Sequence, residues 1–261
     1  MKPQIIAVTE LTAPPIDVAE HFAPRLRRAD DYIKLAVAAT ERVFSHPGAN
    51  PEPGSRTGLF VGTAFGPMQT NFDVLGLIVD EDQTSPTLFS HSVFNSAAGY
   101  IARLFNIPGS CFSFTDFSWP FFRALAEGYS AITSGRLDRC LILQVECYSD
   151  LLLDARARTG TAVESWPQGA VAWHLAAAGS GIGWQLENIE INSVPAPATL
   201  YLHRREELQH DGKTCICSTP LAAAASLSNL IRKPAGEGEL TCRLSAPYGS
   251  VRLTFTPAIA Q

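Results

Sequence analysis

One serine in this sequence stands where an enzyme could mount a nucleophile. Residues 109–128 read GSCFSFTDFSWPFFRALAEG. The apolar run Cys111–Phe114 predicts a strand covered on both faces, and from Phe121 onward the apolar residues follow a helical spacing. A sharp turn from strand to helix lifts a side chain above the helix N-terminus. Ser118 lies at that turn and is the candidate nucleophile of an acyltransferase or hydrolase.

The hydroxyl of Ser118 needs a base within hydrogen-bond reach, because it is a weak nucleophile at neutral pH. His91 and His174 are the nearest candidates along the predicted fold. His174 lies in the apolar stretch AVAWHLA, where a histidine is more often part of the core, and His91 precedes a predicted helix. Because no triad is complete, the sequence favours an inactive Ser118; a Ser118-dependent acyltransferase or hydrolase is the alternative.

A second group of residues could bind a metal. Cys215 and Cys217 form a C-x-C pair, with His203 and His210 upstream. We expect the two sulfurs on opposite faces of a strand, which is poor geometry for the tetrahedral site that zinc requires. The sequence therefore predicts no metal site, and no motif in it indicates a cofactor.

Composition excludes several classes of protein. The 261 residues are 46% hydrophobic and 17% charged, which excludes a disordered chain and indicates that a partner covers part of the surface. The net charge of −5 argues against a nucleic-acid partner. No apolar run reaches the roughly 18 residues of a membrane span, and the N-terminus lacks the apolar segment of a secretion signal. We expect a cytoplasmic protein with six reduced cysteines.

Alternating strands and helices position the candidate residues. Residues 1–178 alternate β and α with buried strands, which predicts a three-layer α/β/α arrangement. Strands are predicted at Ile5–Val8, 58–66, Cys111–Phe114, Cys140–Val145 and 169–176, and helices at Asp30–Phe44, Asn71–Ile78 and Phe94–Leu104. Residues 179–261 form a smaller second part, with a strand in GIGWQLENIEI, a helix in STPLAAAASLSNLIR and a hairpin in LTCRLSAPYGSVRLTF. The run RREE, Arg204–Glu207, is interpreted as a solvated face.

The order of these motifs resembles that of the β-ketoacyl synthases, enzymes with the thiolase fold. GLFVGTAFG, SPTLFSHSVFNSAAGYIARLFNIPGS, the strand–turn–helix at Ser118, SGRLDRCLILQVE and QGAVAWHL follow the series found in that family. The resemblance covers about residues 27–178 and is specific as a series, whereas residues 179–261 match only in outline. It implies a thiolase-like three-layer (α/β/α) fold with a shortened C-terminal half.

The same resemblance implies that the catalytic residues of the family are missing. The family carries a cysteine at the turn, where this chain has Ser118. One of the two catalytic histidines precedes the Ala-rich helix, where this chain has Thr219, and the loop that carries the other is absent. A ketosynthase-like chain without its nucleophile resembles the chain-length factors of type II polyketide systems. The chain is similar in size to the short form that accompanies ketosynthases of aryl polyene biosynthesis.

Such a protein is implied to be the non-catalytic partner of a full-length ketosynthase. It completes and limits the tunnel for an acyl chain, which an acyl carrier protein delivers, in polyene, polyketide or fatty-acid-like elongation. By their family positions, the substrate-tunnel residues are Phe65, Leu88 and Phe89. The residues that would plug the vacant active site are Phe117, Trp119 and Phe121. The strand that would pair with the partner consists of Cys111, Phe112, Ser113, Phe114 and Thr115. A purely structural scaffold is a further alternative.

Overall fold

A ten-stranded mixed sheet runs through the computed structural model of this chain. The structure describes residues 1–49, 55–80, 84–160, 165–177 and 181–258, so the predicted boundary between residues 178 and 179 lies outside the described residues. The strands are β1 (Gln4–Ala13), β2 (Thr57–Thr63), β3 (Cys111–Thr115), β4 (Arg139–Glu146), β5 (Gln168–Ala176), β6 (Trp184–Ser193), β7 (Glu206–His210), β8 (Lys213–Cys217), β9 (Leu240–Ala246) and β10 (Gly249–Pro257).

Helices cover both faces of the first five strands. They are α1 (Ala23–Leu26), α2 (Asp31–Phe44), α3 (Met68–Asp80), α4 (Pro86–His91), α5 (Ser96–Leu104), α6 (Pro120–Thr133), α7 (Asp150–Thr159), α8 (Ala198–Leu202) and α9 (Ala222–Ile231). Helices α2 and α5 pack on one face, α6 and α9 pack on the other, and strands β6–β10 add a further layer against α6 and α9. The predicted thiolase-like α/β fold is confirmed. No described helix is long and apolar enough to cross a membrane.

The sheet consists of two five-stranded halves with the same strand order. The first runs β3-β2-β4-β5-β1 and the second β8-β7-β9-β10-β6, and they join where Gln4 pairs with Gln185. In the first half β2 and β3 are parallel, and α3, α4 and α5 lie between them in the chain. In the second half β7 and β8 form an antiparallel hairpin with only Asp211 and Gly212 between them. The C-terminal half is short because a two-residue turn replaces a helical crossover.

Two glycines let helix α6 press onto the sheet. A Cβ on Gly62 of β2 would collide with the carbonyl oxygen of Pro120, the first residue of α6. A Cβ on Gly128 of α6 would collide with the side chain of Ile142 in β4. Because Gly62 meets backbone atoms, only glycine permits the start of α6 to lie so close to the end of β2. Ser118 lies two residues before that start.

Strand β3 is an edge strand, and the prediction that both its faces are covered was wrong. Among the described strands it pairs only with β2, and Phe112 is 51% exposed. The Leu59 N–H donates to the carbonyl of Ser110, and the Asp116 N–H donates to the carbonyl of Thr63. Because these bonds alternate along a strand, the backbone groups that point away from β2 belong to Cys111, Ser113 and Thr115.

Candidate functional site

The turn between β3 and α6 is closed by a carboxylate. Asp116 Oδ1 accepts hydrogen bonds from the main-chain N–H groups of Ser118, at 2.7 Å, and Trp119, at 3.4 Å. Its Oδ2 accepts from Arg123 Nε at 2.9 Å. Main-chain N–H groups at a helix N-terminus are the donors that stabilise an oxyanion in acyl transfer. Here Asp116 already accepts from two of these N–H groups. The elbow, residues 116–119 between β3 and α6, therefore offers no free oxyanion hole.

Among the residues that the structure describes, no base serves the Ser118 hydroxyl. Ser118 is buried, and no side chain in the described part of the chain hydrogen-bonds to its Oγ. His91 Nε2 lies 3.0 Å from the hydroxyl of Tyr100, at the end of α4. His174 is buried against Phe44, with ring centroids 5.4 Å apart, and burial lowers its pKa to about 3. Neither histidine hydrogen-bonds to Ser118. His174 is a core histidine, as the sequence indicated.

A buried ion pair holds the backbone of the elbow. Arg204 Nη2 donates to the carbonyl of Ser118 at 2.8 Å and to Glu206 Oε1 at 2.6 Å, and Arg204 Nε donates to the same Oε1 at 2.9 Å. The Tyr248 hydroxyl also donates to Glu206, and both charged side chains are 1% exposed. Burial disfavours the charged guanidinium, but the Glu206 carboxylate outweighs it and raises the pKa of Arg204. The charged guanidinium of Arg204 therefore holds the carbonyl of Ser118 in place.

The start of α9, where the resemblance expects a histidine, is tied to β4. Thr219 is half-buried beside a cavity of about 100 Å³. Gln144 Nε2 donates to the carbonyl of the next residue, Pro220, at 3.0 Å and to Glu146 Oε1 at 2.9 Å. Burial raises the pKa of Glu146, against the opposing effect of the hydrogen bonds from Gln144 and from the main chain of Ala64. Thr219 thus lies next to a buried polar network of Gln144, Glu146 and the Pro220 carbonyl. Its side chain supplies no imidazole there.

The predicted plug residues lie in the elbow, Phe117 and Trp119, and at the start of α6, Phe121. The ring centroid of Trp119 lies 5.2 Å from that of Tyr248, and the ring of Phe121 lies 5.3 Å from that of Trp173. Trp119 and Phe121 are fully buried, whereas Phe117 is 47% exposed. The three rings pack on different partners, Phe117 on Phe65, and their role as a plug stays a prediction.

The predicted tunnel residues fall in two places. Phe65, directly after β2, is buried among aromatic rings, with centroids 5.7 Å from Phe117 and 5.6 Å from Trp166. Leu88 and Phe89 lie in α4, where Leu88 is half-buried and Phe89 is 62% exposed. A cavity of about 380 Å³ between α3 and α4 is lined by Val74, Leu77, Ile78, Thr84, Ser85, Pro86 and Phe89. Phe65 and Phe89 therefore do not line this cavity together.

The charged pair at the elbow was missed in the sequence. The prediction of a solvated face for Arg204–Glu207 was wrong, because Arg204 and Glu206 are buried whereas Arg205 is exposed. The segment enters strand β7, in which alternate side chains face opposite sides. The signal was available: Asp211-Gly212, flanked by strand-like residues, is a strong hairpin motif that would have placed a strand on each side.

The exposed apolar surface of helix α3 is a second feature that was not predicted from the sequence. Its main neighbour is α4, and it leaves Leu75 53% exposed and Val79 77% exposed. A helix with apolar residues around its whole circumference is normally buried. The stretch FDVLGLIV carries that signal, which indicates a surface covered in an assembly.

The C-x-C pair lies in strand β8. All six cysteines are free thiols, and no group of three or more His, Cys, Asp or Glu side chains in the described residues could hold a metal ion. The expectation of opposite-facing sulfurs was wrong: residues i and i+2 of a strand share a face, and the Cys217 thiol contacts that of Cys215. Burial raises the pKa of Cys217 to about 12, so its thiol is a poor metal ligand.

Residues 25–227 match the family model described as the N-terminal domain of β-ketoacyl synthases. The chain belongs to the β-ketoacyl synthase family. No protein with a curated description matches the sequence.

Solved structures share the fold of this β-ketoacyl synthase family member. A complex of ketosynthase (ApeO) with its chain length factor (ApeC) from Xenorhabdus doucetiae matches with a TM-score of 0.60 at 15% identity, over 98% of this chain and 99% of that chain. The ishigamide ketosynthase/chain length factor matches with a TM-score of 0.64 at 15% identity, over 74% and 68%. The complex AntDE:AntF, a type II acyl-carrier protein with its ketosynthase, gives 0.62 at 16% identity, over 74% and 69%. At these identities the likeness shows the fold.

Proposed function

We propose that this chain is the non-catalytic, chain-length-factor-type subunit of a type II β-ketoacyl-ACP synthase heterodimer. It pairs with a full-length ketosynthase and completes and limits the acyl tunnel during polyene, polyketide or fatty-acid-like chain elongation. One observation carries the proposal: within the described part of the chain, the edge strand β3 pairs on one side only and leads into an elbow whose N–H groups are occupied and whose hydroxyl has no base. The described residues thus keep a surface for association, and they supply neither a base for Ser118 nor free N–H donors at the elbow.

The distribution of exposed apolar residues supports a large partner. Nine of the thirteen exposed large apolar side chains in the described residues lie between positions 72 and 117, in α3, α4, the α4–α5 connection, β3 and the turn before α6. An unpaired strand edge beside exposed apolar side chains promotes aggregation unless another chain covers it. We infer that the ketosynthase adds its own strand to β3 and covers α3 and α4. Such an obligate interface buries upward of about 2,000 Å².

The cavity between α3 and α4 supports a role in shaping the acyl tunnel. Five of its seven lining residues are apolar, and one of them, Phe89, is among the predicted tunnel residues. Apolar walls suit a hydrocarbon-like chain, which gains stability as its surface leaves water. In the heterodimer, Phe65, Leu88 and Phe89 would close the far end of a tunnel that begins at the nucleophile of the ketosynthase.

An acyl carrier protein would deliver the growing chain to this heterodimer. The likeness to a structure that contains an acyl-carrier protein with its ketosynthase supports this partner. The exposed Arg25, Arg27 and Arg28 of this chain have no ion pair among the described residues and could attract an acidic protein. We expect the complex to work in the cytoplasm.

Neither alternative is favoured by a specific contact. A Ser118-dependent acyltransferase or hydrolase requires a base and an oxyanion hole, and both are absent from the described residues. A purely structural scaffold requires no apolar cavity at the proposed interface, and a cavity lined by Phe89 is present.

Co-expression with a ketosynthase tests the proposal. We expect the two chains to copurify in equal amounts, and we expect this chain alone to be poorly soluble, because β3 and α3 are then uncovered. The heterodimer should elongate acyl chains on a carrier protein, and this chain alone should not. A soluble monomer that is stable at micromolar concentration and retains no ketosynthase would contradict the proposal.

A further inference from the structure

A buried glutamate holds the turn that carries Phe65. Glu146, the last residue of β4, is fully buried. Its Oε1 accepts from the main-chain N–H of Ala64 at 2.7 Å and from Gln144 Nε2 at 2.9 Å. Its Oε2 accepts from the main-chain N–H of Phe65 and from Thr63 Oγ1, both at 3.3 Å. Four donors thus converge on one carboxyl group, and three of them belong to the turn after β2.

The turn is also closed from its other side. The Gly66 N–H donates to Thr63 Oγ1 at 2.7 Å, and Gly66 has a φ of +59°. A Cβ at Gly66 would collide with the ring of Phe94, so the backbone there has no room for a side chain. The ring of Phe65 projects from this turn towards Phe117. The position of that ring therefore depends on a backbone that Glu146 fixes.

We propose that Glu146 is a positioning residue that sets product length through Phe65. The inference rests on the proposed function, in which Phe65 is one of the residues that limit the tunnel. Glu146 contacts the backbone of the turn, Thr63 and Gln144, so it acts on product length through the position of Phe65. A carboxylate suits this task because both of its oxygens accept, and each faces N–H or O–H donors. A glutamine would turn one acceptor into a donor.

The substitution Glu146→Gln tests the inference with little change in shape. Its oxygen can keep the bonds to Ala64 and Gln144, whereas its amide nitrogen would face the Phe65 N–H, which then loses its acceptor. In the purified heterodimer we expect the product distribution to broaden or shift to longer chains, as for Phe65→Ala. We also expect the Phe65 amide to exchange with deuterium about tenfold faster, the effect of one lost buried hydrogen bond.

Two further variants keep the test decisive. Ser228→Ala on α9 removes the acceptor of a buried hydrogen bond from Trp173 Nε1 of β5 and leaves the Phe65 turn alone, so its products should match those of the wild type. Thr63→Val keeps the carboxylate but removes the hydroxyl between Glu146 and Gly66, and should shift products even if Glu146→Gln fails to assemble.

The possible results separate this inference from the proposed function. If Phe65→Ala lengthens the products and the assembled Glu146 and Thr63 variants do not, the positioning role is wrong and the proposed function stands. If Phe65→Ala also leaves the products unchanged, Phe65 does not limit the tunnel and the inference fails with it. If Ser228→Ala shifts the products as much as Glu146→Gln, the effect is general destabilisation and the positioning role is likewise rejected.

Discussion

The carboxylate of Asp116 lies 2.7 Å from the main-chain nitrogen of Ser118 and accepts its hydrogen bond. This N–H is one that an acyl-transfer elbow would aim at the developing oxyanion. With the amide already bound to a fixed negative charge, an oxyanion at the same place would be repelled. The elbow has the shape of a catalytic turn and is electrostatically unsuited to the reaction.

Ser118→Ala should therefore leave the activity of the heterodimer unchanged within about twofold. The substitution removes a hydroxyl that no general base among the described residues activates. The measurement is the turnover of malonyl and acyl carrier substrates by the copurified complex, with a complex containing inactivated ketosynthase as the zero. A loss beyond about a hundredfold, the scale for removal of a true catalytic group, would establish an active serine.

Arg204→Met should destabilise this chain by about 3–5 kcal/mol, because it leaves the Glu206 carboxylate buried without its partner. Pulse proteolysis of the heterodimer in urea measures that loss in the free energy of unfolding, from the fraction of this chain that stays intact on a gel. The neighbouring exposed residue provides the matched control, since Arg205→Met should change stability by less than about 0.5 kcal/mol. The double variant Arg204→Met/Glu206→Leu should recover part of the loss; a double variant as unstable as Arg204→Met alone would contradict an electrostatic cause.

The buried His174 should make this chain less stable in mild acid. Its pKa is about 3 in the folded chain, whereas an unfolded histidine has a pKa of about 6.5. Between these values only the unfolded state takes up the proton, so stability present above pH 6.5 is lost as the pH falls. The loss between pH 7.5 and pH 5.5 should be about 1.4 kcal/mol. His174→Phe should remove that part of the pH dependence in urea titrations; an unchanged slope would show that another group causes it.

Phe89→Ala should lengthen the main product or broaden its distribution, because the side chain lines the apolar cavity between α3 and α4. This variant separates tunnel effects from folding better than Phe65→Ala, since Phe89 is 62% exposed and truncation of a buried aromatic costs about 3–5 kcal/mol. Mass spectrometry of the products reports the change. The control is Ile216→Ala, an exposed apolar side chain on β8 at the opposite edge of the sheet. Identical products from an intact Phe89→Ala complex would show that Phe89 does not limit the tunnel.

Much of the fold follows from local patterns. The helix predicted at Asp30–Phe44 is α2, with Asp30 as its N-cap, because its apolar face is continuous and its cap is strong. The strand at Cys140–Val145 extends by one residue at each end. The hairpin in LTCRLSAPYGSVRLTF is β9–β10. These elements are determined by their own residues, so the sequence is sufficient.

The errors occur where burial depends on a neighbour. An apolar run predicts that β3 is covered, but only the fold places it at the edge of the sheet, where its side chains are exposed in this chain alone. The charged run Arg204–Glu207 suggests solvent, but half of its side chains point into the core, where Arg204 and Glu206 form an ion pair. Pairing partners that are distant in the chain, such as Arg204 and the carbonyl of Ser118, leave no periodic signal in one sequence.

Proline at the edge of the sheet tests the central claim, that this chain associates with a ketosynthase through β3. The N–H of Ser113 points away from β2, so Ser113→Pro removes no bond within the chain and is tolerable on an edge strand. The matched control is Thr214→Pro on β8, the opposite edge. The hairpin turn places the N–H of Thr214 outward as well.

The decisive measurement is the amount of ketosynthase that copurifies with each variant at equal expression. If the ketosynthase pairs with β3, Ser113→Pro should retain less than about a tenth of it, because proline cannot donate the bond that joins the two sheets. Thr214→Pro should retain as much as the wild type. Equal retention by the two proline variants, with both chains folded, would contradict association through β3.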